Sequence, residues 1–398
     1  MQIFNIANIL IFTSILLNYK IGEIYLSYMV AYFSAGLLLI NGFIVNTKIT
    51  SKIYIYSLFF LHIIFTSLII KVWYSDGLEF YFQETINWAI YSKAFLIFLF
   101  FILGLLYFRN QLFIFNYLNL LYVFTILFCL RFWLEGMTII TSTDIKNIDS
   151  LRYYPAWIGG WNTISYFISI SILYILTIKG LQKKNTWFVL GFLMLTLIAT
   201  QSRGGLYFLI ISLVGLQIRY RFFKISAKYF LISLICIICL SFLPIFKDII
   251  IERFWGAFFG FDRTDISYMQ FATSGRTVQW LDFYVKFFLQ DNTFQYYTGY
   301  GLGHYGWQNK YAIETSVHNT LLQFIYDFGL PLGLSIFLCL SWKLIFFKKT
   351  VNYKLNAFFS GLGMITFLTL LVQDLFFITQ LIPVVSMLMT NFFQQKLK

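Results

Sequence analysis

Apolar runs alternate with short polar breaks about twelve times along the chain. They cover roughly 3–18, 23–45, 53–71, 88–108, 112–134, 162–180, 186–200, 203–219, 228–247, 319–342, 355–371 and 376–394. A helix that crosses a bilayer needs about 20 apolar residues. Most of these runs approach that length with few charges, so the pattern predicts a polytopic all-α membrane protein with about twelve transmembrane helices. The first run has no basic region before it and no small-residue cleavage site after it, so it reads as a retained helix and not as a signal peptide.

Three longer polar segments interrupt this rhythm, at about 72–87, 135–161 and 248–318. The last lies between the ninth and tenth predicted helices. Loops of this length are functional or disordered, and its many Phe, Tyr and Trp residues argue against disorder. Inside it, "SGRTVQWLDFYVKFFLQ" (274–290) predicts a helix capped by Ser274, with Val278, Leu281, Val285 and Phe288 on an apolar face. That face is expected against the membrane surface or the transmembrane bundle. Arg276 falls in the first turn, where free amides and the helix dipole add to its attraction for an anion.

The stretch "GYGLGHYGW" (299–307) follows. Its alternating glycines resemble a nucleotide loop, but no βαβ context surrounds them and the segment falls on the outer side, so that reading is excluded. It reads as a tight loop that brings backbone close to a bulky ligand, with Tyr300, Tyr305 and Trp307 as stacking faces. The segment closes with "ETSVHNTLLQFIYDFGLPLGL" (314–334), which places Glu314, His318 and Asn319 at the outer start of a spanning helix. Asp327 comes nine residues after His318, about 13 Å along the axis, and Gly329 with Pro331 predicts a kink.

Composition sharpens the class. The chain is 60% hydrophobic and 11% charged, which excludes an ordinary soluble domain. A net charge of +13 raises nucleic acid as a partner, but the positions of the charges exclude it. With a cytoplasmic amino terminus, the inner loops hold Lys48, Lys52, Arg109, Lys179, Lys183, Lys184, Arg219, Arg221, Lys224, Lys228, Lys343, Lys348, Lys349, Lys354, Lys396 and Lys398. That is 16 of the 29 bases and none of the 16 acids. This is the positive-inside bias. The bases mark topology and face anionic lipid, both termini are cytoplasmic, and the three long segments are extracytoplasmic. Cys129, Cys236, Cys239 and Cys339 all fall within apolar runs. The C-x-x-C spacing of Cys236 and Cys239 puts both on one helix face, which fits apolar packing better than redox work. His62, His304 and His318 lack metal-ligand spacing, so neither a metal nor a cofactor is expected.

The sharpest chemical feature is "ATQSRGGLYFLII" (199–211). Arg203 stands where a helix starts at the outer face, and Gly204 and Gly205 leave backbone open beside it. An arginine, a helix amino terminus and two glycines suit a diphosphate. The competing reading is an arginine that only snorkels to lipid headgroups. Arg276 and His318, at two further helix starts, favour the diphosphate.

Taken in order, "QSRGG" opening a mid-chain helix, "SGR" in a long late outer loop, "GYGLG" and "HNTLLQFIYDFGLPLG" resemble the O-antigen polymerase and O-antigen ligase superfamily of bacterial envelope glycan assembly. The motif-bearing part runs from about 186 to 346, and the first 180 residues carry no family signature. The resemblance implies a single integral-membrane domain over 1–398, with 248–318 as a periplasmic loop covering the active-site cavity. It implies an inverting, metal-independent glycosyltransferase of the inner membrane that acts on undecaprenyl-diphosphate-linked oligosaccharide. A chain-length regulator protein is a further conceivable partner. Arg203 and Arg276 then take the diphosphate and His318 the acceptor hydroxyl. Gly204, Arg253, Tyr300, Asn319 and Glu314 complete the expected substrate-binding set. The chemistry is coherent: fixed guanidinium groups stabilise charge growing on a diphosphate leaving group. Histidine, with an unperturbed pKa near 6.5, suits a general base.

Polymerase is favoured over ligase because the outer loop is aromatic and not strongly basic. A flippase or transporter is the alternative from another class. It would show related halves and polar residues at mid-membrane, and no internal repeat is visible.

Overall fold

The computed structural model describes residues 1–17, 20–21, 24–44, 51–77, 88–142, 155–158, 160–182, 184–200, 202–220, 276–289, 293–302, 319–346, 352–372 and 381–393. Among the described residues the regular structure is helical apart from one short antiparallel strand pair, β1 (Lys20–Ile21) with β2 (Ile24–Tyr25). Eleven of the twelve predicted apolar runs fold as helices. These are α1 (Gln2–Leu17), α2 (Leu26–Ile44), α3 (Ser51–Gly77), α4 (Trp88–Tyr107), α5 (Gln111–Ser142), α6 (Trp161–Tyr174), α7 (Lys184–Ala199) and α8 (Arg203–Tyr220), then α11 (Thr320–Ile345), α12 (Tyr353–Leu370) and α13 (Ile382–Phe393). The run at 228–247 lies outside the described residues. Two short helices, α9 (Arg276–Phe288) and α10 (Thr293–Thr298), fall in the long late segment as expected.

Four stretches among the described residues are long and apolar enough to cross a membrane: Ile53–Ile70, Gln111–Gly136, Trp161–Lys179 and Thr320–Ile345. Six further apolar helices are shorter.

The helices are not equivalent. Of the window in α6, 78% is buried within the protein, against 11% in α3. The central α6 carries hydroxyls, which suits a helix that touches other helices on every side, while α3 presents aliphatic and aromatic side chains outward. Small residues set the closest contacts. A methyl group at Gly104 of α4 would lie 2.6 Å from the Thr390 side chain, so Gly104 is what lets α13 pack directly on α4.

The helices α8 and α12 run antiparallel. Tyr353, at the start of α12, donates its hydroxyl to the carbonyl of Tyr220 at the end of α8. At the far end of the same pair, Thr369 of α12 and Gly204 of α8 line one cavity. Near the first of these ends, Lys179 lies 3.8 Å from the Tyr122 ring centroid, just past the end of α6. Lys343, near the end of α11, lies 6.0 Å from the Phe393 ring. Lys179 and Lys343 therefore lie toward the end of the bundle opposite the cavity.

Of the two placements expected for the Leu281 face of α9, the structure excludes the one against the bundle. The docking face is Phe283 and Phe287, with Trp280 beside them, packed on Ile325 and Tyr326 of α11. Leu281, Val285 and Phe288 are exposed, and Val278 is among the residues whose side chains are not described. The helix carries aromatic residues on two sides, and the Phe283 side is the one that docks on the bundle.

Candidate functional site

The site grows from the first turn of α6, whose sequence "WNTISYFIS" places Asn162, Ser165 and Ser169 at helical spacing. Ser202 reaches them from the start of α8. Its hydroxyl accepts from the Gly205 amide at 3.2 Å, which is helix N-cap geometry, and donates to the Asn162 Oδ1 at 2.9 Å. The single Ser165 hydroxyl proton has two acceptors in reach, the Asn162 carbonyl at 2.8 Å and the Ser202 hydroxyl at 3.0 Å. Ser169 donates to the Gly205 carbonyl at 3.3 Å. In an apolar bundle each hydroxyl must find a partner, and here they find one another.

Gly205 is the residue that allows this approach. A methyl group there would lie 2.5 Å from both Cβ and Oγ of Ser165. At Gly204 it would meet only the edge of the Phe208 ring, at 3.3 Å. The two glycines therefore differ: Gly205 seats α8 on α6, while Gly204 faces space. That space is a cavity of about 30 Å3, lined by these residues with Tyr166, Ile365, Thr369 and Val372. It has room for one or two waters and not for a sugar ring. Arg203 is the first residue of α8, where the free amides and dipole favour an anion.

The start of α11 meets the same end of α12. Asn319 is the N-cap of α11: its Oδ1 accepts from the Leu322 amide at 3.2 Å. Its Nδ2 donates to the Leu371 carbonyl at 2.9 Å. Leu371 adjoins Val372, which lines the cavity. Asn319 was expected to contact substrate; the structure uses its carboxamide to cap one helix and tie it to another. The start of α9, at Arg276, belongs to the helix packed on the first half of α11 through Phe283 and Tyr326, whose centroids are 5.9 Å apart.

A second polar centre lies about seven residues along α11. The helix breaks at Gly329 (φ 78°, ψ 163°), where the predicted kink falls, and Pro331 follows. Proline has no amide hydrogen, so the Asp327 carbonyl loses its helical donor. The Gly301 amide replaces it at 3.0 Å, and the Tyr300 amide donates to the Tyr326 carbonyl at 2.9 Å. The adjacent Leu302 amide donates to the Ser67 hydroxyl at 2.8 Å. Asp327 is fully buried and its Oδ1 accepts from Gln323 at 2.8 Å. The glycine-rich loop thus mends a broken helix. Tyr300, expected to stack on a ligand, is buried and stacked on Tyr326 with centroids 4.6 Å apart; its ring is part of the core.

Of the expected site residues, Arg203, Gly204 and Asn319 stand at the end of the bundle that holds the cavity, and Arg276 opens the helix against α11. Arg253, Glu314 and His318 lie outside the described residues, as do Tyr305, Trp307 and the Cys236–Cys239 pair. The sequence reading overlooked Asn162, Ser165, Ser202 and Thr369. Their signal is legible as polar residues repeating at helical spacing in an otherwise apolar run. None of the protein-family models matches this chain, and neither does any curated protein.

Proposed function

We propose that the chain is an integral-membrane, metal-independent glycosyltransferase. It works as a polymerase that passes a growing surface glycan from undecaprenyl diphosphate to an incoming lipid-linked repeat unit at the periplasmic face of a bacterial inner membrane. One observation carries the reading: the start of α8, with Arg203, and the start of α11, with Asn319, converge on the end of α12 beside a hydroxyl-lined cavity. Two helix amino termini at one place attract an anion, and the residue preceding Asn319 is the expected base, His318.

In this scheme Arg203 and Arg276 hold the diphosphate and stabilise the charge that develops as it departs. His318 removes the proton from the acceptor hydroxyl as that oxygen attacks the anomeric carbon from the opposite side. The result is inversion. The hydroxyls of Ser165 and Ser202 keep α8 fixed, so the guanidinium starts from a rigid helix end. The cavity is too small for a sugar, so the glycan meets this centre from outside, while the polyprenyl tail stays in lipid.

One feature favours a transporter. A broken helix with a buried carboxyl group is how transporters build ion sites. Here the Tyr326 and Asp327 carbonyls accept from Tyr300 and Gly301, which fits a repaired scaffold better than an ion cradle.

Deleting the gene and examining the glycan tests the reading. Polymerase loss leaves single repeats on the lipid A core. Accumulation of lipid-linked polymer without core attachment identifies a ligase. An unchanged glycan contradicts both.

A further inference from the structure

The second polar centre carries an inference of its own, which rests on the proposed function only in assigning α11 to the site. We infer that Ser67, Gly299 and Gly329 are positioning residues: residues 299–302 form a strap that fixes the first half of α11 as a separate rod and so sets where Asn319 and its neighbour stand.

The rod is held at both ends. At its start, Asn319 ties it to α12 through the Leu371 carbonyl. At its end, successive strap amides, Tyr300 and Gly301, donate to successive rod carbonyls, Tyr326 and Asp327. The strap is itself anchored on α3 through Ser67. The Ser67 hydroxyl also lies 3.4 Å from the Tyr91 hydroxyl of α4.

Two glycines make the close contact possible. A methyl group at Gly299 would lie 2.4 Å from the Gly329 nitrogen, and one at Gly329 would lie 2.3 Å from the Tyr297 carbonyl oxygen. Both residues have positive φ, 72° and 78°, where a side chain is strained. Backbone meets backbone, so no side-chain adjustment relieves an added methyl. The interior ring pair Tyr300–Tyr326 closes the joint. Strap and rod thus form one rigid unit whose release would move the first turn of α11.

The test uses the full-length protein in lipid nanodiscs and amide hydrogen exchange. In the wild type the Tyr300, Gly301 and Leu302 amides should exchange at least roughly 100-fold more slowly than an unstructured peptide. Ser67→Ala removes the acceptor for Leu302 and should speed exchange there about 10-fold. It should also speed exchange at the Leu322 amide, which Asn319 caps at the opposite end of the rod. Ser67→Thr, which keeps the hydroxyl, should restore both. Unprotected strap amides in the wild type overturn the inference. So does a Ser67→Ala strap that opens while Leu322 exchange stays unchanged. Gly299→Ala serves as the stronger variant, and Ser67→Ala keeps the test open if Gly299→Ala does not fold.

Glycan transfer is measured on the same samples with a polyprenyl-diphosphate-linked repeat unit. Ser67→Ala should retain binding of that lipid while turnover falls. Equal losses of binding and turnover overturn the positioning role. A wild type that transfers nothing, with exchange at the strap and Leu322 still coupled, sinks the functional reading and leaves the strap standing.

Discussion

The bundle contains two polar centres built in opposite ways. At the starts of α6 and α8, side chains do the work: Asn162, Ser165 and Ser202 bond one another, and Ser169 donates to the Gly205 carbonyl, around a small cavity. At the break in α11, backbone does the work: strap amides meet rod carbonyls, and glycine meets glycine with no room for a methyl group. The first centre leaves space beside a helix amino terminus. The second consumes the groups that the break frees. Both answer the same demand, since an unsatisfied polar group in an apolar interior costs several kcal/mol. The first borders a cavity of about 30 Å3.

The sharpest way to break this comparison is at the backbone joint. Gly299→Ala or Gly329→Ala combines positive φ with a clash against main chain, and should cost about 2–5 kcal/mol. Thermal unfolding in nanodiscs and the amount of folded protein in membranes measure it. A variant as stable as wild type would mean that the strap is not closed.

A smaller effect belongs to Gly205→Ala. Its methyl meets Ser165, and overpacking should cost about 1–3 kcal/mol. Combining it with Ser165→Gly should recover most of the loss. Gly204→Ala is the internal control. Its methyl meets only a ring edge, and the gain in helix propensity of about 1 kcal/mol offsets the contact. Equal losses at 204 and 205 would contradict the assignment of Gly205 alone to helix contact.

Loss of a cap comes next. Ser202→Ala removes the α8 N-cap and the link to Asn162, at a cost of about 1 kcal/mol, and Ser202→Thr should keep most of it. The smallest effect separates the two jobs of Asn319. Asn319→Asp still caps α11 but loses the donor to Leu371, at about 0.5–1.5 kcal/mol, whereas Asn319→Ala loses both. An Asn319→Asp variant that melts with wild type would remove the tie to α12 from the account, and identical melting temperatures for the two variants would remove the cap.

Much of the fold was legible because apolar runs dictate helices directly: α1 to α8 and α11 to α13 each fall on a predicted run. The kink at Gly329 was legible from Gly and Pro. The loop "GYGLG" was misread for a physical reason. Its glycines signal close approach of backbone, but sequence does not say to what, and the partner lies in α11, 26 residues further on (Tyr300 to Tyr326, Gly301 to Asp327). The docking face of α9 was not singled out because Trp280, Phe283 and Phe287 compete with Leu281, Val285 and Phe288 for the same helical period. At the site, Arg203 drew attention through its charge. Its neighbour Ser202, which organises the centre, is an unremarkable residue until α6 is placed opposite it.

The central claim is that the α8 start is where a lipid diphosphate is held for glycan transfer. The direct measurement is chain extension by the purified protein in nanodiscs supplied with a polyprenyl-diphosphate-linked repeat unit, comparing wild type with Arg203→Lys at equal amounts of folded protein. Lysine keeps the charge but loses the planar fork that grips two phosphate oxygens. The account predicts a ladder of extended glycans from wild type and its near loss in Arg203→Lys. A full ladder from Arg203→Lys, or none from a folded wild type, would contradict it.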